Sequence, residues 1–300
     1  MISVSVYDDQ RERKEHGTFE FPVAVYHYAM KDCVLGTINW HWHEEIQLSL
    51  VTRGKVCFYA DGQRYEVRKG DGFFINSSRL HMAREEGDPE ASYLCLDFHP
   101  RLIASFPGSV FEEKYVRPFL EGNQLSHLKL ESRHRPHQKI LESVEEIGML
   151  FDKKGFGYEM SLLSKINRIW LDLIALQAAS PADQRILSQG HDTVQEIISF
   201  LRSHYGEPIS LSQVGKAVGF SESECCRQFK QMTGDTILNY LKSYRLSRSI
   251  ELLENSRLSV SEIAYESGFS GASYYIECFR KELGQTPLQY RKGFLKRSLL

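Results

Sequence analysis

The sequence predicts a two-domain α+β protein: an antiparallel β barrel with an appended helix pair, then an all-α domain built from two helix-turn-helix units. Three observations predict it. Short apolar runs alternate with turn signals from about residue 20 to 100. From residue 137 the apolar period lengthens to that of helices. Near the end, Leu211-Ser-Gln-Val-Gly-Lys-Ala-Val-Gly-Phe-Ser221 returns as Val260-Ser-Glu-Ile-Ala-Tyr-Glu-Ser-Gly-Phe-Ser270.

The strands come first. Ile46–Val51 ends at Arg53-Gly54, and Val56–Tyr59 ends at Asp61-Gly62, a dipeptide suited to a tight hairpin. Tyr65–Val67 ends at Lys69-Gly70-Asp71-Gly72, Phe73–Ile75 follows, and Ser92–Phe98 is a further strand. Strands this short and this closely spaced make a sandwich or barrel. In the helix pair, Ile140, Val144, Ile147 and Phe151 form one stripe. Leu162, Ile166, Ile169, Leu173 and Leu176 form another, thickened by Leu163, Trp170 and Ile174. The second stripe is wider than one intramolecular contact needs. The pair either packs on the sheet alone or also joins two subunits, with Ile166, Leu173 and Leu176 at that interface. Ala179-Ser-Pro-Ala-Asp183 breaks the pattern. The expected boundaries are therefore a β domain over 1–136, a helical dimerisation and linker segment over 137–180, a linker over 181–190 and a tandem helix-turn-helix domain over 191–300.

The last domain reads as helices throughout. His191–Tyr205 is the first, and Pro208 breaks it. Ser210 caps the next helix, and Gly219 turns the chain where a left-handed backbone costs least. Ser221 caps the following helix, which carries Glu222 and Glu224 near its positive end and stops at Gly234. Asp235 or Thr236 starts a long helix to about Glu254. Ser259 or Ser261 starts the second unit, Gly268 turns it, Ser270 matches the first unit's capping serine, and residues 271–283 form its second helix. Pro287 opens a final helix. Leu211, Val214, Phe220, Phe229, Ile263, Phe269 and Phe279 are the expected core. A helix-turn-helix places its second helix in the DNA major groove, so two in tandem let one chain read two successive grooves.

Composition permits this reading. Residues 191–300 carry 14 Lys and Arg against 12 Asp and Glu, a net +2 that is too weak for binding by phosphate attraction alone. Arg227, Lys230, Lys242, Arg245 and Arg248 lie between the units, and Arg291, Lys292, Lys296 and Arg297 form a basic tail. The six cysteines contain no CxxC pair and suggest reduced thiols. No apolar run is long enough to span a bilayer, and the opening residues show no secretory pattern, so the expected location is cytoplasmic with no membrane partner.

Residues 191–294 resemble the DNA-binding domain of the AraC/XylS family of bacterial transcription regulators. The second unit carries the resemblance through Ile263-Ala-Tyr-Glu-Ser-Gly-Phe-Ser270, Ser273-Tyr-Tyr275, Phe279-Arg-Lys281, Gly284 and Thr286-Pro-Leu-Gln-Tyr-Arg291. The first unit matches through Gly219-Phe-Ser221, Arg227-Gln-Phe-Lys230, Thr233-Gly234 and Tyr240-Leu241. The resemblance implies base contacts from Ser223, Cys226 and Arg227 in the first unit and from Ala272, Ser273, Ile276 and Glu277 in the second. Arg227 is suited to guanine, and Ile276 to a thymine methyl. Glu277 departs from the basic residue common there. Gly215 departs from alanine and should cost roughly 1 kcal/mol of helix propensity.

The N-terminal region resembles a cupin barrel, the usual sensor half of this family. His41-Trp-His43, Gln47 and Gly54 follow the first cupin motif, with Gln47 where the motif has Glu. Gly70, Asn76 and His81 follow the second, with Asn76 in place of proline. Alternation puts His41 and His43 on one strand face, with Trp40 and Trp42 opposite. His41, His43, Gln47 and His81 are thus expected to bind a small-molecule effector, a sugar being the first choice by family frequency. Metal ligation by the same four residues and simple packing stay open as alternatives, and no cofactor is assigned. The implied function is an effector-responsive homodimeric transcription regulator, not an enzyme, with double-stranded DNA as partner, and RNA polymerase as a further partner if it is an activator; whether transcription is raised or lowered stays open. A metal-dependent cupin isomerase or oxygenase with an attached DNA-binding domain is the alternative.

Overall fold

The computed structural model describes residues 2, 4–7, 10–121, 125–179 and 191–298. The chain divides into two compact units, Met1–His191 and Asp192–Leu300. The linker expected over 181–190 lies outside the described residues.

The first unit holds two antiparallel sheets. One is ordered β1 (Val23–Ala29), β8 (Ser92–Phe98), β3 (Ile46–Arg53), β6 (Gly72–Ile75), β9 (His127–Leu130). The other is ordered β2 (Thr37–His41), β7 (His81–Arg84), β4 (Lys55–Ala60), β5 (Gln63–Arg68). The strands read from the sequence are all present. β4 and β5 turn at Asp61-Gly62, whose φ angles of 46° and 73° are those of the tight hairpin the dipeptide favours.

Period-two alternation decides what faces the barrel. On β3, Ile46, Leu48 and Leu50 join one apolar core, while Gln47 and Ser49 lie on the other face. On β8, Leu94, Leu96 and Phe98 join that same core, while Tyr93, Cys95 and Asp97 face inward. Gln47 pairs directly with Asp97 across the two strands. The first core is completed by α3 (Arg135–Lys153) and α4 (Tyr158–Ala179), which cover the outer face of the five-stranded sheet. The second core, between the sheets, is closed by Val56, Phe58, Val67, Phe73 and Ile75. Two short helices, α1 (Arg101–Ala104) and α2 (Arg117–Glu121), precede β9.

The helix pair corrects one expectation. Ile166 and Leu173 are fully buried among the sheet residues of the same chain, so they are not available to a second subunit. The broad stripe on α4 has a different cause, since this helix packs on both α3 and the segment 115–121. Trp170 sits against Phe98 and Phe119, and donates Nε1–H to the carbonyl of Tyr115.

Among its described residues the second unit holds seven helices: α5 (His191–Ser203), α6 (Leu211–Val218), α7 (Glu222–Thr233), α8 (Ile237–Asn255), α9 (Val260–Glu266), α10 (Ala272–Leu283) and α11 (Pro287–Ser298). Caps set most boundaries. Ser210 and Ser259 each form a full capping box, with Gln213 and Glu262. Ser221 and Thr236 accept from Glu224 N and Asn239 N. Gly234 and Gly284 end α7 and α10 in left-handed conformation.

Three expectations change here. Gly271, not Ser270, is the N-cap of α10, because the second copy carries one extra residue before the helix. Gly215 is required rather than costly: a Cβ there would lie 2.6 Å from the carbonyl oxygen of Phe220, whose N–H bonds the Gly215 carbonyl. Phe220 is 44% exposed and Leu211 half-buried, so neither is core. The matching Phe269 is only 6% exposed because it packs against the rings of Tyr274 and Tyr275. The first unit has Glu224 and Cys225 at those two positions, and so offers Phe220 no ring.

Candidate functional site

In the first unit, four residues expected to act together do meet. His41, Gln47 and His81 are buried on β2, β3 and β7. His43 is buried just past the end of β2, not on the strand as alternation suggested, because the strand ends at His41 and Trp42 bridges Arg11 of the N-terminal arm instead. Trp40 does face away from the histidines, yet it too is buried, edge-on to Tyr59. The ring centroids of His41 and His81 are 4.1 Å apart, and His43 is 5.1 Å from His81. His41 Nδ1 donates to the carbonyl of Asn39 at 2.7 Å, and His81 Nδ1 donates to that of Arg79 at 2.8 Å. Gln47 Oε1 lies 3.2 Å from His43 Nε2 and 3.1 Å from His81 Nε2.

Sequence reasoning missed three members of this cluster. Glu12 and His16 come from the N-terminal arm, and Asp97 from β8; all three are buried. The arm is pinned by Glu12 N–H to the carbonyl of Trp42 at 2.9 Å, and by Trp42 N–H to that of Gln10 at 3.1 Å. His16 Nε2 is 3.1 Å from Glu12 Oε2, and its Nδ1 is 3.4 Å from Asp97 Oδ2. Burial opposes charge on His16, but the Asp97 and Glu12 carboxylates outweigh it and raise the imidazole to about 9. Burial, reinforced by His41 and His43, pushes His81 well below the usual histidine range. Burial also raises Asp97, against the pull of His16 and His43. His16 is thus held protonated between Glu12 and Asp97, while His81 resists protonation. Asp97 could have been found, since an acid inside an apolar strand at an inward position is a signal. Nothing in the arm has a period, so Glu12 and His16 carry none.

The arm divides the available space. Outside it is a cavity of about 350 Å³ lined by Tyr7, Phe19, His43, Glu44, Glu45, His99, Arg101 and the arm's Arg11–Thr18. Inside, among Glu12, His16, His41, Gln47, His81 and Asp97, only about 10 Å³ remains, room for one water-sized species. Glu12 and His16 form the wall common to both. Of the four predicted effector residues only His43 lines the larger space.

In the second unit, all seven residues expected at DNA bases lie off the core. Ser223, Arg227, Ser273 and Glu277 are exposed, and Cys226, Ala272 and Ile276 are half-buried. They occupy α7 and α10, whose inner faces are anchored by Phe229 and by Tyr275 and Phe279. The Arg227 side chain, 62% exposed, lies against its own helix on Glu224 at 2.9 Å and Gln231 at 3.0 Å. Two other arginines of the expected basic surface hold the frame instead. Arg245 donates to the carbonyls of Tyr205 and Glu207, ahead of α6. Arg291 donates to those of Leu253 and Leu258, ahead of α9.

A helix-turn-helix domain model matches residues 214–293, and a model of the AraC-like ligand binding domain matches residues 35–147. A Bacillus subtilis protein named the uncharacterized HTH-type transcriptional regulator YdeC is 34% identical over 282 residues, covering 94% of this chain and 96% of its own. The HTH-type transcriptional activator RhaS of Salmonella arizonae is 24% identical over 254 residues, 84% of this chain and 87% of its own. Among solved structures, ToxT from Vibrio cholerae aligns with 90% of this chain and 96% of its own, at 13% identity and a TM-score of 0.43. Among the described residues no helix is long and apolar enough to cross a membrane.

Proposed function

The chain belongs to the AraC family of DNA-binding transcriptional regulators with a ligand-binding domain, and from that premise we propose that it reads two successive major grooves and is switched by a small polyhydroxylated effector. The observation that carries the first half is α8. Its 19 residues span about 28 Å, close to the roughly 34 Å of one DNA turn, and each unit offers an exposed second helix. Arg227, Ser223 and Cys226 would read one groove; Ser273, Ala272, Ile276 and Glu277 would read the next. Arg227 must release Glu224 to reach guanine, a small cost because that pair is solvent-exposed. Glu277 can accept from cytosine N4 but repels phosphate, so the second unit reads by shape and apolar contact more than by charge.

The outer cavity supports the second half. Its four arginine and lysine side chains, Arg11, Arg13, Lys14 and Arg101, are matched by Glu12, Glu15, Glu44 and Glu45, with Tyr7 and Phe19 as aromatic walls. With the protonated His16 the lining is one positive charge from balance, and that near-balance, many hydrogen-bonding groups and an aromatic surface suit a neutral sugar better than a multiply charged ion. Since the arm forms one wall, effector binding would bias the arm, and through it a homodimer's DNA-competent state. The exposed apolar side chains of the helix pair, Met149, Met160 and Leu171, are candidates for that dimer contact. RNA polymerase is then a partner wherever binding raises transcription.

Selection of the full chain on random duplexes tests the groove reading. Enrichment of two short motifs about 10 base pairs apart is expected. A single short motif would leave one unit without a DNA role. A thermal-shift panel of sugars tests the cavity: binding to the native state raises the melting temperature. Selective stabilisation by acidic or apolar compounds would replace the sugar reading.

A further inference from the structure

We infer that two copies of this chain join through α3, packed antiparallel about Met149, with Phe156 of each copy seated in a cavity beside the other's α3. The inference rests on the homodimer reading above and gives that dimer its interface. It begins with the loop between α3 and α4, Lys154-Gly155-Phe156-Gly157. Phe156 is 113% exposed, and a Cβ added at either flanking glycine would meet nothing within 4 Å. The ring therefore stands clear of its own unit. A lone exposed ring is ordinary, but this chain also carries a receptor for it. Beside the first half of α3 lies a cavity of about 290 Å³. Leu50, Val51 and Leu141, all buried, give it an apolar floor, and the exposed Lys69, Glu142 and Glu145 a charged rim. Between cavity and loop, α3 presents an exposed stripe of Glu142, Glu145, Met149 and Lys153, at helical spacings of three, four and four. Among the described residues, neither Glu145 nor Lys153 forms an ion pair within its own chain. Charge then sets the register. In an antiparallel pair centred on Met149, a residue some places before it on one helix faces the residue equally far after it on the other. Glu145 and Lys153 are both four places away, and Glu142 and Phe156 are both seven. Seven places along a helix is about 10 Å. Lys153 thus meets the partner's Glu145, and Phe156 arrives at the partner's cavity. A parallel pair would instead set Glu145 on Glu145 and leave both rings uncovered. The antiparallel contact is isologous, so each pairing is made twice and both cavities are filled.

The test measures self-association of the full chain by sedimentation equilibrium, where a reversible dimer is expected. Phe156→Ala should raise its dissociation constant about tenfold or more, the effect of withdrawing an aromatic anchor from a pocket. Lys153→Glu and Glu145→Lys should each raise it about threefold or more, since each sets like charges opposite one another at two places. Combining these two in one chain should restore the constant, because opposite charges face each other again. Met149→Asp, which brings two carboxylates together on the axis, should weaken the dimer in the same way. A dimer indifferent to Phe156→Ala, or charge reversals that stay broken when combined, overturns this interface and leaves the homodimer reading standing. A chain that is monomeric at every concentration overturns both. Folding of each variant is read independently from tryptophan fluorescence, since all three tryptophans lie in the first unit.

Discussion

Gly219 and Gly268 occupy the same place in the two repeats, yet alanine should cost very different amounts at each. Both are left-handed, with φ of 74° and 76°. An L-residue there loses about 1–2 kcal/mol at either position. At Gly219 that is the whole cost, because a Cβ would meet nothing within 4 Å. At Gly268 the Cβ would lie 2.0 Å from the Tyr205 carbonyl oxygen and 2.9 Å from Arg245 Nε. That carbonyl accepts the Arg245 Nε–H at 2.8 Å. Moving it away adds an overpacking cost of about 1–3 kcal/mol and weakens a charge-assisted bond of about 1.5–3 kcal/mol. With partial relaxation, Gly268→Ala should cost about 3–6 kcal/mol, enough to unfold a domain of ordinary stability in part or whole. Urea unfolding followed by far-ultraviolet circular dichroism reads the helical unit, while tryptophan fluorescence should report an unchanged first unit. Equal costs for the two alanines, within about 0.5 kcal/mol, would refute the packing of Gly268 on Tyr205 and with it the argument that the second unit is braced through Arg245.

Other outcomes are expected on the same reasoning. Arg227→Ala should lose discrimination at one base pair by about 1–3 kcal/mol in competition binding; a uniform loss across sequences would make Arg227 a phosphate contact. Leu173→Ala should cost the first unit about 2–5 kcal/mol, because the side chain is 0% exposed in the core beside β3 and β8, while Leu171→Ala, 54% exposed on the same helix, should leave stability within about 0.5 kcal/mol. Sedimentation then separates the roles: only Leu171→Ala is expected to weaken a dimer without unfolding. Acid should destabilise the first unit through Asp61. Burial opposes its ionisation, but hydrogen bonds from His127 and Ser126 prevail and hold its carboxyl below the usual range. A depressed carboxyl stabilises the fold above its unfolded value of about 3.9, and that stability is lost as pH falls through the folded value. Fluorescence-detected unfolding below about pH 4 should therefore show a slope that Asp61→Asn flattens.

The local features of this protein were legible because they are written locally. Alternation on β3 and β8, the Asp61-Gly62 hairpin, the capping boxes at Ser210 and Ser259 and the glycines closing α7 and α10 each need only neighbours a few residues away. The repeat itself disclosed two helix-turn-helix units, and the spacing of His41, His43, Gln47 and His81 disclosed that they converge. Contacts between segments far apart in sequence were not legible. Glu12 and His16 enter the barrel on an arm with no period, and fill a space that the motif alone would leave for a ligand. Identical glycines differ only in what a distant loop places beside them, and equivalent phenylalanines differ in whether two tyrosines lie within reach. The apolar stripe on α4 shows that the helix buries one face without saying whether its own chain or another does so. Sequence determined which elements form and which faces are apolar, because short-range sterics and hydrogen bonds decide those. Tertiary structure decided which groups share a cavity and which apolar surface is left over, because those depend on where non-local segments come to rest.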